Sequence, residues 1–115
     1  MAELEVKERA AGDVAILDLS GKITFGEGSS MLRNAIRRLT QEGKKKILLN
    51  LAGVGYMDST GIGELVASYT TVQHAGGQLK LLNLTQKLQS LLAITKLLTV
   101  FDTYDTEDEA LRSFQ

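Results

Sequence analysis

The chain has 115 residues, 13 Lys and Arg against 14 Asp and Glu, a formal net charge of -1 and no cysteine. The absence of cysteine excludes disulfides, thiolate nucleophiles and Cys-based zinc sites, and the near-zero charge gives no general attraction to nucleic acids or anionic membranes. This length suits one hydrophobic core, so we expect residues 1–115 to form a single domain.

The first nine residues alternate charged and apolar side chains and lack the apolar region of a signal peptide. No apolar run in the sequence approaches the ~20 residues that a membrane-spanning helix needs. We therefore expect a cytoplasmic protein without direct membrane insertion. Within this segment, residues 4–8 alternate with period two, which predicts a half-exposed edge strand.

Two buried strands and two amphipathic helices are predicted in the middle of the chain. Residues 14–19 and 47–51 are nearly all apolar, as in strands that are covered on both faces. Apolar side chains at helical spacing predict helices over residues 31–39 and 62–72. Glycines end these helices: Gly43 after the first, Gly76 and Gly77 after the second.

The last third of the sequence predicts two more strands and two more helices. Residues 79–84 form a third inner strand, and Thr85 is the expected N-cap of a helix over residues 86–95. Val100 and Phe101 form a short predicted strand. Residues 106–109, Thr-Glu-Asp-Glu, match a capping box, which predicts a C-terminal helix through Phe114.

Alternation of strands and helices indicates an α/β fold with parallel crossovers. We expect a mixed, mostly parallel sheet of four or five strands with about four helices packed on it. Functional loops in such sheets gather at the carboxyl ends of the strands. The loops of interest are therefore residues 21–29 and 53–61.

The second of these loops carries the most informative residues of the sequence. Asp58, Ser59 and Thr60 are all good N-cap types for the helix that follows. Gly61 and Gly63 each cost roughly 1 kcal/mol of helix propensity relative to Ala, which indicates a surface left bare for close approach by another molecule. The helix N-terminus would accommodate a phosphate on Ser59. From these residues alone, the alternative that Ser59 only caps the helix stays open.

Catalytic and nucleotide-binding motifs are missing from the sequence. The only histidine, His74, lies on the same predicted helix as Ser59, roughly 20 Å away at 1.5 Å per residue, so a Ser-His hydrolase is excluded. No phosphate-binding glycine motif is present. The basic residues at 44–46 lack aromatic partners and read as a solvated surface. We expect no enzymatic activity, no cofactor, no metal and no nucleic-acid partner.

Residues 58–65, Asp-Ser-Thr-Gly-Ile-Gly-Glu-Leu, resemble the signature of STAS domains, specifically of the anti-sigma factor antagonists. Residues 19–23 (LSGKI), 47–51 (ILLNL) and 76–81 (GGQLKL) resemble the same family. Residues 97–101, followed by an acidic helix, fit it as well. The resemblance covers almost the whole chain in the family's order.

The resemblance implies a partner-switching function. Ser59 would be phosphorylated by an ATP-dependent anti-sigma factor kinase, with Thr60 as a secondary acceptor. The unphosphorylated protein would bind that kinase, the phosphorylated protein would release it, and a phosphatase would reset the switch. Any ATP and Mg²⁺ would belong to the kinase. The implied partner-binding residues are Ile23, Thr24, Phe25, Gly26, Glu27, Gly28, Asp58, Ser59, Thr60, Gly61, Ile62 and Gly63.

One segment departs from the family pattern, because residues 24–28 are richer in glycine than is usual there. An alternative function therefore stays open. STAS domains also act as constitutive scaffolds in stress-signalling or membrane-transport assemblies, without a phosphorylation switch.

Overall fold

The computed structural model describes residues 3–115, which form five strands and four helices. In chain order these are β1 Leu4–Ala11, β2 Val14–Ile23, α1 Glu27–Gln41, β3 Lys46–Met57, α2 Ser59–His74, β4 Gln78–Leu82, α3 Gln86–Ile94, β5 Thr103–Tyr104 and α4 Glu107–Ser113. The strands form one sheet in the order β1-β2-β3-β4-β5. The predicted α/β architecture, a mostly parallel mixed sheet with four helices, is confirmed.

Only the first strand pair is antiparallel. β1 and β2 are joined by a tight turn at Gly12, whose φ of +62° lies in the left-handed region that favours glycine. β2, β3, β4 and β5 then run parallel, and a helix crosses over between each successive pair. The carboxyl ends of β2 and β3 consequently meet at one edge of the sheet, where each is followed by a helix.

The two faces of the sheet pack against different helices. Helices α1, α2 and α3 cover one face, where Leu32, Leu65 and Leu88 join the large core cluster with Leu17 and Leu49. Helix α4 covers part of the opposite face, with Ala110 and Phe114 against Ile16, Leu48 and Leu82. The central strands are therefore buried on both sides, which explains why their sequences are almost continuously apolar.

Three details of the predicted elements are wrong. Val100 and Phe101 do not form a strand, since β5 is Thr103–Tyr104, paired with Leu81 and Leu82. The Phe101 side chain is buried, and its ring packs edge-to-face on Tyr69 with 5.3 Å between the ring centroids. Side-chain burial, and not strand pairing, accounts for the apolar residue at position 101, whereas Val100 is 40% exposed.

The other two corrections concern glycines. Residues 53–57, predicted as loop, belong to strand β3. Gly53 is required there because a Cβ on it would lie 2.7 Å from the Cβ of Ser20 on the paired strand. Helix α1 begins at Glu27 and not at residue 31, because its first turn buries the small residues Gly28 and Ser29, which carry no apolar signal.

Polar contacts hold the C-terminal helix against the sheet at both of its ends. At its start, Arg9 of β1 bonds Asp18 at 2.6 Å and Glu107 at 3.0 Å, which lowers the pKa of both carboxyl groups. At its end, buried Lys80 of β4 donates from Nζ to the carbonyl oxygen of Ser113 at 2.9 Å and to its Oγ at 3.0 Å. The same ammonium lies 4.7 Å from the centre of the Phe114 ring.

None of the helices within residues 3–115 combines the length and the apolar character that crossing a membrane requires.

We predict that Lys80→Ala detaches the end of α4 from the sheet. Hydrogen bonds to charged groups are worth about 1.5–3 kcal/mol, so the free energy of unfolding in urea should fall by roughly that amount. Amide exchange across α4 should become faster. Lys44→Ala is the matched control, since Lys44 is exposed and has no side-chain partner within residues 3–115. Equal stability of the two variants would contradict this role of Lys80.

Candidate functional site

The candidate site lies where β2 and β3 end. Residues 24–26 connect β2 to α1, and Asp58 alone separates β3 from α2. The two connections are neighbours because β2 and β3 are paired and parallel up to Ile23 and Met57. The structure therefore brings the two sequence-predicted segments of the site together at one edge of the sheet.

The Asp58 carboxylate joins these two segments. Its Oδ1 accepts a hydrogen bond from the amide of Gly61 at 2.8 Å, which makes Asp58 the N-cap of α2. Its Oδ2 accepts a hydrogen bond from the amide of Phe25 at 3.0 Å. One side chain thus caps the helix and fixes the β2–α1 connection beside it.

These hydrogen bonds determine the charge of Asp58. The amide of Phe25, followed by that of Gly61, favours the ionised form and lowers the pKa of the carboxyl below its usual 3.8. Because the folded state favours the ionised form of Asp58, this carboxylate contributes to the stability of the fold above pH 3.8. That contribution is lost as the pH falls through the lowered pKa of the folded state.

Glu3 holds the β2–α1 connection from the other side. Its backbone amide donates to the Glu27 carboxylate at 2.7 Å, and its carbonyl oxygen accepts from the amide of Lys22 at 3.0 Å. The hydroxyl of Thr24 donates to the Glu3 carboxylate. The connection is thus tied both to the residue that precedes β1 and to the N-cap of α2.

Ser59 and Thr60 form the exposed start of α2. Asp58 is the N-cap, so the alternative that Ser59 caps the helix is wrong. Both residues are exposed, and no group within residues 3–115 hydrogen-bonds the Ser59 hydroxyl. The ionised Asp58, which accepts the hydrogen bond from the Gly61 amide, directly precedes Ser59 in the chain.

The two glycines of the motif have different roles. Gly61 is buried, and a Cβ on it would overlap the carbonyl oxygen of Ile23 and lie 2.7 Å from the Cγ of Met57. The close approach at Gly61 is therefore made by this chain's own strand, which corrects the expectation of a bare surface there. Gly63 is exposed with no atom near the Cβ position, so the surface is bare at that residue.

The remaining predicted partner-binding residues also divide into buried and exposed positions. Ile23 and Gly28 are buried, and their side-chain positions face the protein interior. Thr24 and Ile62 are partly buried, while Gly26 and Glu27 are exposed. The Phe25 side chain is 79% exposed beside the Asp58 cap. The accessible part of the site is therefore Phe25, Gly26, Glu27, Ser59, Thr60 and Gly63.

Sequence reasoning missed the role of Glu3 and the exposed Tyr56. Tyr56 lies near the end of β3, is 42% exposed and has the ammonium of Lys87 5.0 Å from its ring centre. Neither residue carries a sequence signal, because both contacts join segments distant in the chain. His74 is exposed at the far end of α2, so it cannot act on Ser59.

We predict that Gly61→Ala destabilises the protein and that Gly63→Ala does not. The added Cβ at residue 61 has to displace backbone atoms, which should lower the free energy of unfolding by about 1–3 kcal/mol or more. At residue 63 there is open space, so the gain in helix propensity should raise stability by up to about 1 kcal/mol. Urea unfolding of both variants checks this, and equal effects of the two substitutions would contradict it.

We also predict that the Asp58 carboxyl carbon titrates with a midpoint below 3.8 in an NMR pH titration. Asp58→Asn removes the titrating group but keeps an acceptor for one amide. Stability of the wild type should therefore decline relative to Asp58→Asn as the pH falls below 3.8. Parallel stability curves for the two proteins over this range would mean that the carboxylate does not stabilise the fold.

Known proteins resemble this chain in sequence and in fold. Residues 3–110 match the family model of the STAS domain. The anti-sigma-B factor antagonist of Bacillus subtilis is 39% identical over 86 residues, which cover 75% of this chain and 77% of that protein.

Two solved structures show the same fold. An anti-sigma factor antagonist from Mycobacterium paratuberculosis has a TM-score of 0.85 at 21% identity, covering 96% of this chain and 93% of that one. The Bacillus cell fate determinant SpoIIAA in its phosphorylated form has a TM-score of 0.74 at 18% identity, covering 96% and 100%. The match to the family model, the identity to the Bacillus subtilis protein and the fold lead to one assignment: this chain belongs to the STAS domain family.

Proposed function

We propose that this protein is an anti-sigma factor antagonist whose binding to an anti-sigma factor kinase is switched off by phosphorylation of Ser59. The observation that carries this proposal is that Asp58, and not Ser59, caps the start of α2. Asp58 caps the helix, and the Ser59 hydroxyl is exposed with no structural partner within residues 3–115. A serine that the fold does not use is free to serve as a phosphate acceptor.

The surroundings of Ser59 suit a protein partner. Phe25 exposes an aromatic side chain on a backbone that Asp58 and Glu3 hold in place, and Gly63 leaves the first turns of α2 accessible. Rigid exposed aromatic residues are common anchors of protein interfaces. We propose that the kinase docks on this surface, with Thr60 as a secondary acceptor.

Electrostatic repulsion is the reason why phosphorylation of Ser59 would weaken partner binding and not strengthen it. A phosphoserine adds about -1.5 to -2 charge, and here it would lie next to the ionised Asp58. The Gly61 amide that could have neutralised a phosphate is already bonded to Asp58. The added charge therefore stays on the docking surface. There it repels acidic groups of a partner, and contact with an apolar partner surface becomes unfavourable because the phosphate would lose its hydration.

The remaining parts of the proposal follow from this role. Residues 1–115 would act as a single cytoplasmic domain without catalytic activity, and the kinase would supply ATP and Mg²⁺. A phosphatase would remove the phosphate and restore binding. The Bacillus subtilis relative named as an anti-sigma-B factor antagonist supports the antagonist part of this proposal. A constitutive scaffold without a switch is the competing function, and the experiment below separates the two.

We predict that Ser59→Ala and Ser59→Asp baits recover different proteins from a lysate of the source cells. The Ser59→Ala bait should retain an ATP-binding serine kinase, identified by mass spectrometry, and the Ser59→Asp bait should lose it. Ser90→Ala and Ser90→Asp are matched controls, since Ser90 is an exposed serine on α3. Equal recovery by both Ser59 baits would replace the switch with the scaffold function.

A second measurement tests the acceptor directly. After incubation with the recovered kinase and ATP, phosphate should map to Ser59 in the wild type and disappear in Ser59→Ala. Thr60→Ala should still be phosphorylated. Modification that persists in Ser59→Ala and disappears in Thr60→Ala would move the acceptor to Thr60.

A further inference from the structure

A cleft of about 220 Å³ lies between helices α1 and α2, and the switch surface does not use it. Helix α1 contributes Arg33 and Arg37, and α2 contributes Glu64, Ser68 and Thr71. This volume is well above the roughly 10–15 Å³ that a single water molecule needs. A ligand of a few non-hydrogen atoms therefore fits.

Ser68 is the first indication that this cleft binds something. The residue is only 2% exposed, and its Oγ has no hydrogen-bond partner within residues 3–115. Serine hydroxyls inside helices commonly bond a backbone carbonyl of the preceding turn, but this one does not. A buried hydroxyl without a partner costs free energy, so a group that occupies the cleft and bonds it would be favoured.

Charge is the second indication. Arg33 donates from Nε to Glu64 Oε1 at 3.0 Å, which holds its guanidinium at the cleft. Its terminal amino groups have no acceptor in the described part of the chain, and neither does Arg37. Two guanidinium groups against one carboxylate leave the cleft with an excess positive charge, although the whole chain carries -1.

We propose that the α1–α2 cleft binds a small organic anion through its carboxylate or phosphate group. The anionic group bonds the free amino groups of Arg33 and Arg37, whose planar forks match both kinds of oxyanion. The Ser68 hydroxyl, which is buried in this structure, donates to the same ligand after rotation of its side chain towards the cleft. Thr71 lies one turn further along the same face of α2. This site is separate from the Ser59 surface, so neither proposal depends on the other.

The first test is an NMR titration of the full chain at constant ionic strength, with inorganic phosphate in one arm and butyrate in the other. The expected result is saturable shifts in the amides of residues 33–37 and 64–71. Saturation by phosphate alone assigns a phosphate ligand, and saturation by butyrate alone assigns a carboxylate. Shifts in both arms that are linear in concentration, or that lie outside these residues, would overturn the proposal.

Substitution of Arg37 tests the role of charge. Arg37→Gln should weaken binding of the active probe at least about tenfold, as expected for loss of a hydrogen bond to a charged group. Arg112→Gln removes the same charge from an exposed position on α4 and should leave affinity unchanged. Equal weakening by the two variants would mean that the net charge of the protein, and not a site in this cleft, causes the loss of affinity. That result would overturn the proposal.

Substitution of Ser68 separates ligand binding from folding. Because the hydroxyl makes no bond within residues 3–115, Ser68→Ala should leave the melting temperature of the ligand-free protein unchanged or raise it. The same variant should lose affinity for the probe. Unchanged affinity in a folded Ser68→Ala protein would show that the hydroxyl does not bind the ligand.

Discussion

The Asp58 carboxylate is the contact on which the arrangement of the candidate site depends. It accepts one hydrogen bond from the first turn of its own helix, through Gly61, and one from the distant Phe25 amide. Both donors are backbone groups, so the bonds constrain the path of the chain and not only a side chain. Ionisation of Asp58 is favoured by the same two bonds. The cap, the adjacent connection and the local charge therefore have one physical origin.

Close backbone packing allows that contact to form. Helix α2 begins against the end of β2, where any side chain at residue 61 would overlap the Ile23 carbonyl oxygen. Gly53 does the same between β3 and β2, beside Ser20. These glycines bring the ends of β2 and β3 close enough for Asp58 to reach across to Phe25. Their cost in helix or strand propensity is thus offset by geometry that the tertiary fold requires.

The proposed phosphorylation of Ser59 would change binding without unfolding the protein, because the fold does not depend on the Ser59 hydroxyl. Capping is assigned to Asp58, whereas the Ser59 hydroxyl contributes no hydrogen bond within residues 3–115. Modification of Ser59 would therefore leave the hydrogen bonds of the helix start in place. Its effect would be electrostatic and local, on a surface with the exposed Phe25 at its centre.

Periodicity, capping residues and turn glycines by themselves determined the class of fold and the order of strands and helices along the chain, and they marked residues 58–65 as a candidate site. Those signals are local, so they survive in a single sequence. They failed at Phe101, where an apolar residue that packs on Tyr69 was predicted to lie in a strand. They also failed at the end of β3, where glycines within a strand were predicted to form a loop. The sequence also left open which residue caps α2.

Only the tertiary structure decided that Asp58 is the cap, that it bonds Phe25, and that Gly61 faces the strand while Gly63 faces solvent. It alone placed the unpartnered Ser68 hydroxyl in a cleft with Arg33 and Arg37. Each of these facts is a contact between segments far apart along the chain. Local residue patterns do not encode such distances, because the distances arise only when the sheet and its helices have packed together.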